Sequence, residues 1–227
     1  MIIFENLGLI DFKDAWNYQK KIFREILSQK ENNEKIDKIK NKVLLCEHPH
    51  VYTLGKNGNN SNLLINLDVL KQINAQFYHI DRGGDITYHG PGQLVGYPIL
   101  NLEFFKIGIK KYIYLLEESI INTLKHFNIK AERLQGAPGV WIEPHNEKAR
   151  KICAIGVKVS HFITMHGFAL NVNTNLEYFK YINPCGFIDK NVTSVEKELK
   201  TKIDFTYVIN IFEKEFRKIF ESLDSKS

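Results

Sequence analysis

Strand-length and helix-length apolar segments follow one another irregularly along this sequence, and their order limits the possible folds more than any other feature. Residues 11–28 carry apolar side chains near one helical stripe, with Asp11 as a predicted N-cap. Residues 111–127 and 206–222 have the same period. Predicted strands are Val43–Cys46, Val51–Leu54, Phe77–Ile80, 139–142, 151–159 and 167–173. Because strands and helices do not alternate strictly, the pattern predicts an α+β fold, a mixed sheet flanked by helices.

The remaining segments predict loops and one short helix. Residues 29–41 are polar and charged, which is typical of a loop or a frayed helix end, and residues 56–62 have nothing that would pack into a core. Thr193-Ser-Val-Glu196 has capping-box spacing and predicts the start of a short helix. Since neither an internal repeat nor a Pro- or Ser-rich linker is found, we expect one domain over residues 1–227.

Composition and charge exclude some classes of protein. Of 227 residues, 44% are hydrophobic and 25% charged, which is ordinary globular usage and argues against disorder. The net charge of +5 favours acidic partners. However, Lys30–Lys38 mixes both signs of charge, which is typical of a solvated surface rather than a phosphate-binding stripe. We therefore expect no nucleic-acid partner.

The cysteine count and the N-terminus indicate a compartment. Three cysteines, Cys46, Cys153 and Cys185, without a signal peptide favour a reducing environment. The first residues lack a basic region followed by an apolar one, and no apolar run approaches membrane-spanning length. The expectation is a cytoplasmic protein without a membrane partner.

A glycine-rich segment is the first candidate for chemistry. Arg82-Gly-Gly-Asp-Ile-Thr-Tyr-His-Gly-Pro-Gly-Gln93 contains four glycines and one proline. Glycine permits positive φ and close backbone approach, so N–H groups here could face a ligand. A structural turn between strands is the alternative, and the residues alone leave both open. The missing Gly-Lys-Ser/Thr ending argues against a Walker-type phosphate loop.

A cysteine and a lysine are the next candidates. Pro184 and Gly186 flank Cys185 and could present its thiol at a loop end, although a lone cysteine is more commonly buried and inert. Lys151 opens a mostly apolar strand, on which it should share one face with Cys153. A lysine facing an apolar pocket can act as a base, whereas most such lysines extend to solvent.

Three residues near the end of the first predicted strand could form a metal site. Cys46, His48 and His50 have alternate spacing and could face one way on a strand. Pro49 disrupts a regular strand there, and no second ligand cluster is evident. We therefore expect no metal.

Seven segments occur together in the order and spacing of one family. They are Glu47–Gly55, Arg82–Gln93, Gly139–Trp141, Lys151–Gly156, His166–Asn173, Asn183–Gly186 and Val192–Ser194. Over about residues 47–194 the chain resembles the lipoate-biosynthesis octanoyltransferases, also called lipoyl(octanoyl) transferases. The N-terminal segment and residues 29–41 carry no family motif.

The resemblance implies a fold similar to the catalytic domain of biotin protein ligases and lipoate ligases. It implies transfer of octanoyl from acyl carrier protein, which holds it on phosphopantetheine, to a lysine of lipoyl domains. Those domains belong to 2-oxoacid dehydrogenase E2 subunits and the glycine cleavage H protein. Neither ATP, a metal nor another cofactor is expected, and the chain is expected to be a monomer.

The resemblance also assigns roles to residues. Cys185 would form the acyl thioester, and Lys151 would activate it. The family's substrate-binding stretches correspond here to Arg82, Gly83, Gly84, Asp85, Ile86, Thr87, Tyr88, His89, Ala154, Ile155, Gly156, Gly167, Phe168 and Ala169.

Three other functions remain open at this stage. An ATP-dependent lipoate or biotin ligase on the same fold would need no cysteine. A hydrolase with a Cys–His pair would use His89 or His166 as its base. A non-enzymatic acyl- or cofactor-binding module would need neither Cys185 nor Lys151.

Overall fold

A mixed sheet forms the centre of the part that the computed structural model describes, residues 2–32, 40–183 and 191–224. Its strands lie in the order β1 (Ile2–Leu9), β2 (Asn41–Glu47), β6 (Gln93–Ile99), β10 (Ile163–Asn171), β9 (Arg150–Ser160), β8 (Gly139–Ile142) and β7 (Glu132–Arg133). The short strand β11 (Asn191–Val192) pairs with β9. The β1–β2 and β9–β11 pairs are parallel, and the other neighbours are antiparallel.

A smaller mixed sheet packs beside the first. Its strands are β4 (Gln76–His79), β3 (Val51–Leu54) and β5 (Ile86–His89), with β3 parallel to β4 and antiparallel to β5. Its apolar cluster includes Tyr52, Leu54 and Tyr88, together with Leu70 of the short helix α2 (Leu67–Gln72). The predicted mixed sheet flanked by helices is confirmed.

Three long helices cover the two faces of the main sheet. They are α1 (Phe12–Glu31), α3 (Ile109–Lys125) and α5 (Phe205–Asp224). The alternation along β2 explains the layers, because Val43 and Leu45 belong to the apolar cluster shared with α3 and α5, whereas Leu44 and Cys46 belong to the cluster shared with α1. A strand buried on both faces needs a continuous apolar run, as predicted for Val43–Cys46.

The helix predictions are confirmed, with small differences at the ends. Asp11 caps α1 by accepting from the Lys13 N–H over 2.8 Å. The helix α4 (Val195–Leu199) follows the predicted capping sequence, but its N-cap is Ser194 rather than Thr193. The Thr193 hydroxyl instead donates to Glu198 over 2.5 Å. The capping-box spacing therefore predicted the helix correctly but placed its N-cap one residue too early.

Four strands of the main sheet were not predicted from the sequence: the longer strands β6 and β1, and the two-residue strands β7 and β11. β6 contains Gly96 and Pro98, residues that argue against a central strand. Gly96 is required there, because a Cβ at this position would lie 2.0 Å from the Phe168 ring on β10. β1 lies in the N-terminal segment for which no element was predicted. The longer strands β1 and β6 are both stabilised by pairing with β2.

Candidate active site

A cavity of about 630 Å³ opens over the main sheet. Residues of strands β6, β10 and β9 line it, together with most of residues 80–89, with residues 136–138 and Trp141, and with the first turns of α3. Its volume is typical of sites for small molecules. Apolar side chains include Val95, Ile109, Ile113, Ile155, Val157 and Phe168. Polar side chains at its wall include Arg82, His89, Gln93, Lys151, His166 and Asn171.

The glycine-rich segment reaches the cavity because it is tied to both sheets. Gly83 donates its N–H to the Val157 carbonyl of β9 over 2.9 Å. The nearly buried Arg82 guanidinium donates from Nη2 to the Thr53 carbonyl over 2.7 Å and to the Thr53 hydroxyl over 3.0 Å. A Cβ at Gly156 would lie 3.0 Å from Arg82 Cδ and from Gly83 O, so glycine allows this close approach.

The segment closes as a turn at Gly84 and Asp85. Gly84 has a φ of +85°, which favours glycine. The Asp85 carboxylate accepts from Asn62 Nδ2 over 2.7 Å and from the Ile86 N–H over 2.6 Å. The segment is therefore a structural turn, and the same turn presents its residues to the cavity.

His89 is a buried, neutral group at the cavity wall. Gln93 donates from Nε2 to Asn171 Oδ1 over 2.8 Å and to Tyr88 O over 3.2 Å, so its Oε1 is the acceptor for His89 Nδ1 at 2.8 Å. Burial lowers the pKa of His89 to about 3, and nearby His48 and Arg82 act in the same direction. A histidine with this pKa takes up few protons near pH 7.

His166, which also lines the cavity, is bound to a carboxylate. Its Nε2 lies 2.9 Å from Asp81 Oδ1, and Lys158 donates to Asp81 Oδ2 over 2.6 Å. The hydrogen bond from His166 and the Lys158 cation hold the pKa of Asp81 well below its usual range. Burial lowers the pKa of His166, and Asp81 opposes that shift.

Lys151 brings an amine to the cavity wall on β9. Its Nζ donates to the Pro138 carbonyl over 3.4 Å and lies 4.6 Å from the centroid of the Trp141 ring. Gly139 has a φ of +126°, and a Cβ there would lie 2.6 Å from Cys153 O and 3.5 Å from Lys151 Cε. Glycine at 139 therefore leaves room for the lysine side chain.

The expected pairing of Lys151 and Cys153 on one strand face is wrong. The register between β8 and β9 shifts between Val140 and Trp141, which leaves Ile152 without a partner on β8. Ile152 and Cys153 both join the main apolar cluster, whereas Lys151 and Ala154 line the cavity. Burial raises the pKa of the Cys153 thiol, so Cys153 has a packing role.

Cys185 lies outside the described residues, between Asn183 and Asn191. The Asn183 N–H donates to Asn62 O over 2.8 Å. Asn191 and Val192 line the cavity, and Val192 pairs with Lys151 in the β11–β9 ladder. Both described neighbours of the segment are thus anchored by backbone contacts.

Comparison with known proteins identifies the family. Residues 11–217 match the family model of the lipoyl protein ligase A/B catalytic domain. The chain belongs to this family. An octanoyltransferase of Bacteroides fragilis is 55% identical over 200 residues, covering 88% of this chain and 89% of its own. One of Parabacteroides distasonis is 51% identical over 218 residues, covering 96% and 97%.

Solved structures of low sequence identity share the fold of this lipoyl protein ligase A/B family member. A bi-partite lipoate protein ligase of Thermoplasma acidophilum superimposes with a TM-score of 0.68 at 14% identity, covering 100% of this chain and 92% of that one. The biotin protein ligase of Aquifex aeolicus gives a TM-score of 0.52 at 13% identity, covering 100% and 71%. The expected likeness to both classes of ligase is confirmed.

Most positions that the family resemblance singled out meet at the one cavity. Arg82 through Thr87, His89, Ala154 through Gly156 and Gly167 through Ala169 line it with Lys151. Tyr88 does not. It is fully buried in the small sheet, and its hydroxyl lies 2.7 Å from His50 Nδ1. Alternate side chains of β5 point to opposite sides, so Thr87 and His89 reach the cavity and Tyr88 packs behind them with Ile86, which borders the cavity only at the start of the strand.

Other cavity residues were not predicted. Phe12 comes from the start of α1, Ile109 and Ile113 from the start of α3, and Phe179 from the 3₁₀ helix Leu176–Tyr181. The four-residue spacing of Ile109 and Ile113 places them on one helical face, which is a detectable signal. No sequence signal connects Phe12 with this cavity.

The candidate zinc ligands have other partners. His48 uses both ring nitrogens, with Nδ1 2.7 Å from Ile10 O and Nε2 2.7 Å from Tyr97 Oη. His50 stacks on Tyr178 with ring centroids 4.1 Å apart. Within the described ranges, no group of three or more His, Cys, Asp or Glu residues is arranged to hold a metal ion. Among those same residues, none of the helices has the length and apolarity needed to span a bilayer.

Proposed function

We propose that this enzyme transfers an octanoyl group from acyl carrier protein to a lysine of a lipoyl domain through a thioester on Cys185. The observation that carries the proposal is the amine of Lys151 at an apolar cavity, beside the strand where the chain returns from the Cys185 segment. The relatives named octanoyltransferases, at 50–56% identity, support the same acyl group.

The cavity suits a saturated acyl chain. Ile113, Ile155 and Phe168 offer apolar surface beside the Lys151 amine. Burying about six methylenes at ~0.8 kcal/mol each contributes roughly 5 kcal/mol to binding. One methylene more or less changes that by about 1–3 kcal/mol, so neighbouring chain lengths are discriminated only moderately.

The chemistry needs no nucleotide. The Cys185 thiolate attacks the carrier thioester, a new C–S bond forms, the C–S bond to the carrier breaks, and the departing carrier thiolate takes a proton from the Lys151 ammonium. One thioester replaces another, so this step is nearly isoenergetic. A lysine amine of the lipoyl domain then attacks the enzyme thioester, an amide forms, and the Cys185 thiolate is released.

Lys151 handles the proton in both steps. An unperturbed cysteine is only a few per cent thiolate at neutral pH. The nearby amine raises that fraction as a neutral base or as the cation of an ion pair. Because it has given its proton to the departing carrier thiolate, the amine is neutral in the acyl-enzyme and takes a proton from the incoming lysine in the second step. His89, with a pKa near 3, and His166, bound to Asp81, are poorly suited to replace it.

The partners follow from charge and chemistry. The net charge of +5 suits two acidic proteins, the acyl carrier protein and the lipoyl domain. Lipoyl domains of 2-oxoacid dehydrogenase E2 subunits and of the glycine cleavage H protein are the proposed acceptors. Docking should weaken as salt rises, because surface charges are screened.

Intact-protein mass spectrometry tests the proposal. Wild type incubated with octanoyl-acyl carrier protein, without ATP or magnesium, should gain the mass of one octanoyl group, and peptide mapping should place it on Cys185. Cys185→Ala should gain no mass, and Lys151→Met should acylate far more slowly. An absolute requirement for ATP would favour the ligase, and full activity of Lys151→Met would favour the Cys–His hydrolase. Transfer by Cys185→Ala would refute the thioester.

A further inference from the structure

The peptide group between Pro138 and Gly139 is held on both sides by charged side chains. Its C=O accepts from Lys151 Nζ over 3.4 Å, and its N–H donates to Glu117 Oε1 over 3.0 Å. A peptide is planar, with N–H and C=O pointing in opposite directions. One rigid unit thus connects the Glu117 carboxylate on one side with the Lys151 amine on the other.

Glu117 lies behind the cavity rather than in it. It belongs to α3, its residue is 7% exposed, and its other oxygen accepts from Arg133 Nε over 3.0 Å. Burial raises the pKa of Glu117, while the Gly139 N–H and the charges of Arg133 and Lys151 act in the opposite direction. A buried carboxylate is costly unless it is paired; the Gly139 N–H and Arg133 pair it, and the Lys151 charge stabilises it without direct contact.

The charged and titratable groups around the Lys151 side chain come from several elements. Glu117 of α3 and the buried Cys153 of β9 interact electrostatically with it, and the Trp141 ring of β8 lies against the amine. Arg133 of β7 and Glu118 of α3 lie on the far side of this group, where Arg133 binds both glutamates. Arg133 binds Glu118 through Nη2 at 2.6 Å. Glu117 differs from Glu118 because only Glu117 contacts the Pro138–Gly139 peptide.

We propose that Glu117 is a positioning residue that holds the Lys151 amine in place and in its cationic form through the Pro138–Gly139 peptide. This inference rests on the role of Lys151 under the proposed function. The carboxylate orients the peptide so that the Pro138 oxygen faces the lysine. A hydrogen bond at the N–H also polarises the peptide and makes its oxygen a stronger acceptor. The negative charge of Glu117 then favours the ammonium form, so Lys151 acts on Cys185 as the cation of an ion pair.

The direct test is an NMR titration of full-length protein carrying ¹³C-labelled lysine. The Lys151 Cε resonance is identified by its loss in Lys151→Met. Glu117→Gln keeps an oxygen for the Gly139 N–H but removes the charge. In Glu117→Gln, the titration midpoint of the Lys151 amine should fall by roughly one pH unit, which is the order expected when an opposite charge is removed. In the pH profile of Cys185 acylation, the alkaline limb should shift to lower pH by the same amount.

Glu118→Gln is the matched control, because it removes a neighbouring carboxylate from the same arginine. Its Lys151 midpoint and its pH profile should stay at the wild-type values. An unchanged midpoint in Glu117→Gln, or an equal fall in Glu118→Gln, would overturn the inference. A merely structural role of Glu117 would lower the rate at every pH without moving the limb.

A reciprocal measurement covers the case in which Glu117→Gln does not fold. Coupling between two sites is mutual, so Lys151→Met should raise the midpoint of the ¹³C-labelled Glu117 carboxyl. No change there would also overturn the inference. Both titrations report on the amine and the carboxyl without turnover. Full octanoyl transfer by Lys151→Met would refute the proposed role of Lys151, while the two midpoints would still decide whether Glu117 is coupled to it.

Discussion

Lowering the pH from 7 to 5 should remove about 4 kcal/mol from the free energy of unfolding, because His48 and His89 stay neutral in the folded protein. Burial lowers the pKa of His48 to about 4 and that of His89 to about 3, from an ordinary value of 6.5. Each extra proton bound by the unfolded chain costs about 1.4 kcal/mol of stability per pH unit. From pH 6.5 to 5 this amounts to about 2 kcal/mol for each histidine.

The sign follows from the depressed pKa values. The stability is fully present above pH 6.5 and is lost as the pH falls towards the folded-state values of about 4 and about 3. The lowered pKa values of His50 and His166 add to the loss in the same direction. Asp81, whose pKa is held low, is mostly ionised in both states above pH 5 and contributes little there.

Urea unfolding followed by tryptophan fluorescence at pH 7, 6 and 5 measures the effect. His48→Gln loses hydrogen bonds and stability at pH 7, but its slope with pH should be smaller by about 1.4 kcal/mol per unit. The control His145→Gln, whose side chain is 72% exposed, should keep the wild-type slope. A wild-type unfolding energy at pH 5 within about 1 kcal/mol of that at pH 7 would refute the reasoning.

Three further substitutions and one control test packing at the cavity and in the main apolar cluster. In Gly139→Ala the alanine must adopt a φ of +126° with its Cβ near Cys153 O, so the free energy of unfolding in urea should fall by about 1–3 kcal/mol. The variant should also be acylated slowly, and wild-type stability would contradict this prediction. Ile113→Phe fills part of the cavity and should raise the hexanoyl-to-octanoyl acylation ratio about tenfold when the two carrier thioesters compete; an unchanged ratio would place the acyl chain elsewhere. Phe216→Ala empties a fully buried position and should cost about 3–5 kcal/mol, whereas the exposed Tyr207→Ala should change stability by about 0.5 kcal/mol or less; similar losses in both would contradict the helix packing.

Apolar runs and helical periodicity in the sequence predicted those strands and helices whose own residues favour that structure. The strands Val51–Leu54 and 139–142 have the bounds that the apolar runs indicated, and the period of residues 111–127 identified α3. β6 escaped because Gly96 and Pro98 disfavour a strand, and only the Phe168 ring on a distant strand shows why glycine stands there.

The family motifs, read along the chain, determined which residues gather at one cavity, since Arg82, Lys151 and Gly167 all reach it. They are far apart in sequence but lie in or against strands that become neighbours. The motifs therefore indicate that these residues share a site, but they do not give its geometry. Only the tertiary structure decided the direction of each side chain. A shifted register beside Trp141 separates Lys151 from Cys153, and a single peptide joins Glu117 to Lys151. Such contacts depend on how elements pack, and the residues on either side of them carry no local sign of the partner that they meet.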